Sequence, residues 1–326
     1  MKVSISEDVL ADPGAWDVLD RVIHHFMDHR HLWNIDDPDT IKESPWIQSD
    51  LQGRAGSRNL ETFEKCFTDS AYPQPPRTHS ISITITRSTK SDVELSPDDA
   101  RRCLDTPAYV AVENEESDGV FLDAMISAFR RTPLLNAQTD GWWKLEHLGG
   151  FGEVKKRVDN LRATTIGPLR VFVLADSDSL YPGHVTQTIT KIQDYCGNNG
   201  VPYANLKKRK TENYLPLEAL PKTAGKLLRT YRAFKRLTNE QQSHYEMKSG
   251  FEADEHRHAI IPREQETLFE DVPPNVLDKL CGGFGKNVWK RFRSSRGVIT
   301  EDAVRRTCAS DPTEIDRILD EIERLL

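Results

Sequence analysis

Three carboxylates stand where an α/β chain does its chemistry. Glu113 directly follows the apolar run 108–112, and Asp176 and Asp178 directly follow residues 169–175, the strongest strand signal in the 326 residues. In a parallel sheet flanked by helices, ligands gather outside the carboxyl ends of the strands. An Asp-x-Asp on one exposed turn sets two like charges side by side, and without a counter-charge one tends to keep its proton. A hard cation, Mg²⁺ or Mn²⁺, removes that penalty, because it takes carboxylate and water oxygens. Such an ion can polarise a phosphoryl oxygen and turn water into a nucleophile. Taken alone, Asp-x-Asp reads more readily as a turn whose carboxylates cap backbone amides. The joint placement with Glu113 shifts the balance towards a metal centre.

The elements that must position these groups follow from periodicity. Strands are expected over 108–112, 142–148, 169–175 and 202–207, with helices over 117–130, 151–162 and 186–195 between them. This alternation predicts an α/β unit, a mainly parallel sheet with helices on both faces, spanning 105–216. Residues 1–104 read as a separate α+β unit of unknown role. It has an amphipathic helix over 15–30, a polar loop-like stretch over 35–60, a short helix over 59–67, a break at 72–76 and a strand over 79–87. Residues 217–326 read as mostly helical. The last helix is expected to open with Asp311 as cap, Pro312 next and Glu314 reaching back.

Composition narrows the function. Hydrophobic residues are 37% and charged residues 29%, the balance of an ordinary globular chain. The apolar runs are too short to cross a bilayer. The first residues lack the apolar stretch of a signal peptide. The five cysteines are scattered with no Cys-x-x-Cys pair, which reads as reduced thiols in the cytoplasm. His24, His25, His29 and His31 crowd one segment but read as packing or surface residues, since no further metal-ligand motif accompanies them. A net charge of −7 opposes non-specific coating of nucleic acid, so any phosphate attraction must be local. Basic patches lie at Lys207-Lys208-Arg209-Lys210, at 229–235 and at 286–296. Alternation along an extended segment would send Lys208 and Lys210 to one side and Lys207 and Arg209 to the other, with Lys208, Lys210 and Arg209 the candidate nucleic-acid contacts. Gly282-Gly283-Phe284-Gly285-Lys286-Asn287 lacks the Walker spacing, so no ATPase is expected in this chain.

Val112-Glu113-Asn114-Glu115-Glu116-Ser117-Asp118 and Leu174-Ala175-Asp176-Ser177-Asp178 resemble the TOPRIM domain of topoisomerases, primases and several nucleases. Gly149-Gly150 between them and Thr211-Glu212-Asn213-Tyr214-Leu215-Pro216 after the fourth strand resemble the overcoming-lysogenization-defect nucleases and the TOPRIM effector of the PARIS phage-defence system. The resemblance covers roughly a third of the chain, residues 105–216. It implies a Mg²⁺- or Mn²⁺-dependent nuclease of antiviral defence that cuts DNA or RNA, works with a separate ATPase partner, and leaves self-association open. It implies Glu113, Asp176, Asp178 and Asp118 as metal ligands. It also implies a downstream lysine that assists the reaction, for which Lys248 is the candidate. Asn114 stands where the family usually has Gly, which expects Asn114 in the left-handed conformation that Asn tolerates. Glu212 is expected to orient a neighbouring lysine, contact a metal or cap the following helix. The alternatives are a topoisomerase- or primase-like enzyme, and a non-catalytic nucleic-acid-binding or regulatory module.

Overall fold

The computed structural model describes residues 1–53, 58–71, 81–220 and 225–326. Two four-stranded sheets organise it, and every paired neighbour in both is parallel. The first holds β1 (Lys2–Ile5), β2 (Leu32–Trp33), β3 (Ser82–Ile85) and β4 (Glu94–Leu95) in the order β2-β1-β3-β4. The second holds β5 (Ala108–Val112), β6 (Trp143–His147), β7 (Val171–Ala175) and β8 (Tyr203–Asn205) in the order β6-β5-β7-β8. A short antiparallel pair, β9 (Glu252–Ala253) and β10 (Ala259–Ile260), lies in the C-terminal region.

Strand residues point alternately to opposite faces, and the second sheet buries both. Val110, Val112, Phe172 and Leu174 enter one core with Val120, Phe121 and Met125 of the helix Glu115–Ala128. Ala111, Val171, Val173 and Ala175 enter another with Val154 and Val158 of the helix Val154–Thr164 and Ile189 and Ile192 of the helix Gln187–Asn198. Continuous apolar strands are what such two-sided burial requires. The buried apolar residues of the C-terminal region, among them Phe234, Tyr245, Phe292, Ile318 and Ile322, belong to the first of these cores. Residues 217–326 therefore complete the second sheet's unit. The first sheet has its own core, built on Val3, Leu19, Ile23, Trp33 and Ile83.

Several sequence expectations need correction. The stretch 35–60 contains the helices Pro38–Lys42 and Pro45–Gly53. Asp37 caps the first by accepting from Asp39 and Thr40 N–H, and Trp46 and Ile47 of the second are buried. A helix Thr132–Thr139, with Pro133 at its start, had no clear periodic signal. The last helix begins at Glu314, while Asp311 gives its carboxylate to Lys207 and Arg317. The break expected at 72–76 lies outside the described residues. His25 pairs with Asp105 at 3.1 Å, and burial holds the His31 imidazole well below its usual pKa, so both serve packing. No helix among the described residues is long and apolar enough to cross a membrane.

The strand order matters for the site. β6 lies on one side of β5, while β7 and then β8 lie on the other, so the chain reverses direction across the sheet between β5 and β7. A crevice opens at such a switch point, outside the carboxyl ends. Phe172 is fully buried beneath it. Phe172→Ala should cost about 3–5 kcal/mol of unfolding free energy, read from the shift of the urea midpoint at constant slope. A cost below about 1 kcal/mol would mean that this strand is not the core of the unit.

Candidate functional site

Each acidic residue at the crevice is fixed by a neighbouring backbone. Glu113, half-buried, leaves β5 and is followed by Asn114, whose φ is −131° and whose side chain accepts from Glu116 and Ser117 N–H. Asn114 is thus an extended N-cap rather than a left-handed stand-in for glycine. Asp118 turns back inside the first helical turn: Oδ2 accepts from Asn114 N–H at 2.9 Å and Oδ1 from the Ser117 hydroxyl at 3.1 Å. Asp118 is buried and Glu116 exposed, which makes Asp118 the acid of this turn that faces inward.

The turn after β7 is stitched to residues 208–211. Asp176 Oδ1 accepts from Thr211 N–H at 3.0 Å, the Ser177 hydroxyl donates to the Lys208 carbonyl, and Asp178 N–H donates to the Arg209 carbonyl. Asp178 adopts φ 48°, a left-handed conformation costly for a residue other than glycine. Next in the chain, Thr211–Tyr214 forms a tight 3₁₀ turn. Asn213 donates to the carbonyls of Gln242 and Tyr245, and the Tyr214 hydroxyl donates to Glu314. These bonds hold Glu212 completely buried. Lys248 Nζ lies 2.8 Å from Glu212 Oε1, a charge-assisted contact, while Glu212 Oε2 has no hydrogen-bond partner among the described residues.

Lys248 is placed by the glycine-rich segment that failed the phosphate-loop test. Phe284 N–H donates to Met247 O and Gly285 N–H to Lys248 O. Gly250 has φ 67°, and a Cβ there would stand 2.1 Å from the Leu280 carbonyl oxygen and 2.3 Å from Gly283 N. The segment is a backbone platform under Lys248.

Glu113, Asp118, Asp176, Asp178 and Glu212 form one electrostatic network with Lys210 and Lys248. Burial pushes the Asp176 carboxyl well above the usual carboxylate range, and Asp118, Glu212 and Asp178 add to it, although the residue keeps some solvent contact. Burial also raises Glu113, with Asp178 and Asp118 next, and raises Asp118 against its own hydrogen bonds. Burial opposes the Lys210 charge, but Glu246, Asp178 and Asp176 outweigh it, and Glu212 does the same for Lys248. Five acids against two lysines leave an excess of negative charge in a partly buried crevice. Among the described residues no three His, Cys, Asp or Glu side chains close around one point as a metal shell does. The donors are nevertheless hard oxygens, and Glu212 Oε2 has no hydrogen-bond partner among the described residues. The set fits Mg²⁺ or Mn²⁺ in kind, and Lys248 offsets part of its negative charge.

The basic run behaves differently from the expected alternation. β8 stops at Asn205, and residues 207–210 curl through bends. Lys208 is buried. Its ammonium donates to the Asn213 carbonyl and lies 5.0 Å from the Tyr214 ring centroid, and burial lowers its pKa to about 8. It therefore has no face to offer a phosphate. Arg209 pairs with Glu246 at 3.2 Å, and Lys207 pairs with Asp311. Lys210 alone reaches the acids, 3.5 Å from Asp178. Beside the acids lies a cleft of about 430 Å³, whose wall includes Lys210, Lys248, Lys286 and Trp289, with Glu116 and Glu246 among them. Lys286 and Trp289 went unassigned in the sequence, although basic residues interleaved with an aromatic were visible at 286–296.

Comparison of the chain with protein-family models, with curated proteins and with solved structures found no significant match.

A carboxyl whose pKa rises on folding takes up protons as the chain folds. Stability then falls as pH rises from about 4 through the raised value, and stays lower above it. Asp176→Asn keeps the Oδ1 acceptor and removes one charge. In EDTA at pH 7.5 it should raise Tm by about 2–4 °C, the effect of roughly 1 kcal/mol in a unit of this size. The gain should vanish near pH 4. A lower Tm at pH 7.5 would show that the Asp176 charge is already balanced.

Proposed function

We propose that this protein is a TOPRIM-type, Mg²⁺- or Mn²⁺-dependent phosphodiesterase that cuts nucleic acid. The observation that carries the reading is the excess of carboxylates in the crevice between β5 and β7, beside a lysine-lined cleft. Sequence resemblance and chain topology agree on the same residues, and a switch point is where α/β sheets bind ligands. In this reading Glu113, Asp176, Asp178 and Asp118 hold the ion, and Glu212 extends the set. The bound ion supplies Lewis-acid polarisation of the phosphoryl group and activation of water.

The chain's own residues do the rest. Thr211 N–H and the strained Asp178 turn fix the two aspartates in direction before any ion arrives. Lys248 balances Glu212 and, lining the cleft, can turn its ammonium to the charge that develops on a phosphate. Lys210 steers the phosphate group toward the acids. By family analogy alone the activity belongs to antiviral defence with a separate ATPase partner. One observation favours the alternative, a non-catalytic nucleic-acid-binding subunit: the Lys248–Glu212 ion pair occupies a carboxylate that the metal-bound form would use.

Incubation with plasmid, single-stranded DNA and RNA under Mg²⁺ and Mn²⁺ tests the reading. Asp176→Ala, Asp178→Ala should lower cleavage by roughly 100-fold or more and sharply weaken Mn²⁺ binding in isothermal titration, with an unchanged circular dichroism spectrum. Equal cleavage, or equal metal binding, by the double variant would sink the proposed centre.

A second measurement separates the lysines. In metal-free anisotropy with a labelled oligonucleotide, Lys210→Ala should flatten the plot of log affinity against log salt by about 0.7–0.9. Lys208→Met should leave that slope unchanged, because its ammonium never meets solvent. A slope change for Lys208→Met equal to that for Lys210→Ala would mean that the buried lysine is drawn out by the substrate.

A further inference from the structure

We infer that the cleft takes a single nucleic-acid strand, with one unpaired base against Trp289 and the adjoining phosphate on Lys286. The inference rests on the phosphodiesterase reading and names its substrate class.

Of the three lysines that wall the cleft, two are committed. Lys248 faces Glu212, and Lys210 stands between Asp178 and Glu246. Lys286 is exposed and makes no ion pair among the described residues. It also begins the stretch 286–296, which carries five basic residues and no acidic one. On a chain of net charge −7, such a stretch beside an acidic crevice concentrates phosphate attraction at one place. A nucleic-acid strand meets this charge pattern: anionic phosphates for the basic side, and a divalent ion between phosphate and carboxylates at the other.

Trp289 decides between strand and duplex. The residue is half-buried against the core, yet lines the cleft. Its indole N–H has no acceptor among the described residues. Lys290 lies 5.3 Å from the ring centroid, and Trp289 lines the cleft. An aromatic ring beside a positive groove is how sequence-tolerant binders hold single strands, each base stacking through its face. A base inside a helix shows only its edge in a groove. Stacking on Trp289 therefore requires a base that is unpaired or turned out of its stack. The cleft is also of small-ligand size, room for a nucleotide rather than for a helix.

The test is fluorescence anisotropy in EDTA with a labelled single-stranded oligonucleotide and a fully paired hairpin of the same length. The wild type should bind the single strand at least about 10-fold more tightly. Trp289→Ala should weaken that binding by roughly 5- to 100-fold, the range for one stacked base, and Trp289→Phe should restore most of it. Lys286→Ala should flatten the salt slope by about 0.7, the value for one single-strand phosphate contact. Equal affinity for strand and hairpin, or no loss in Trp289→Ala with no slope change in Lys286→Ala, overturns the inference. Cleavage assays on the same variants keep the two ideas apart. Metal-dependent cleavage of paired and unpaired substrates alike, unaffected by Trp289→Ala, rejects the strand site and leaves the phosphodiesterase standing. Tight strand binding through Trp289 without cleavage in Mn²⁺ rejects the phosphodiesterase and leaves the strand site.

Discussion

The structure turns on mutual repulsion among five carboxylates at the crevice between β5 and β7. Two lysines only partly offset it. Everything nearby works to hold those charges together: the Asn114 cap, the bond from Thr211 N–H to Asp176, the Asp178 turn and the interlocked side chains of Thr211–Tyr214. Such crowding is costly unless something cationic joins it. A crevice built against its own electrostatics is what the cation of the proposed function would relieve.

The C-terminal region is what makes this arrangement rigid. Its apolar residues share a core with one face of the second sheet, and its polar groups reach the crevice from behind. Glu314, at the start of the last helix, accepts from Lys207 N–H and from the Tyr214 hydroxyl, and so anchors the loop that carries Lys210 and Glu212. Met247–Gly250 brings Lys248 in on its glycine platform. The acids come from one stretch of sequence, and two of the partners that steady them come from another.

How much of this was legible depends on which physical signal each feature leaves. β5 and β7 declare themselves through unbroken apolar runs, and Glu113, Asp176 and Asp178 through their positions just past them. Asp118 was visible as an acid, but its inward turn depends on backbone bonds that no spacing reveals. Lys208 misled because alternation holds only while a strand lasts, and β8 ends at Asn205. The 35–60 stretch hid two helices because short capped helices held by tertiary contacts need little periodicity of their own. Glu212 and Trp289 acquire meaning only from neighbours distant in the chain.

The two sheets share one strand order, and the first has its own switch point between β1 and β3. There the edge is closed by a hydrogen-bonded suture. Ser6 N–H donates to the Ile85 carbonyl, the Ser6 hydroxyl lies between that carbonyl and the Asp8 carboxylate with one proton to share, and Asp8 also accepts from Arg87 N–H. One chain thus builds the same topology twice, once with its edge sewn shut and once with its edge left charged. Since the sutured version ties its carboxylate to a hydroxyl and an amide, the architecture does not call for crowded, unbalanced acids at this position. The carboxylates of the second crevice are an addition to the fold rather than a part of its scaffolding.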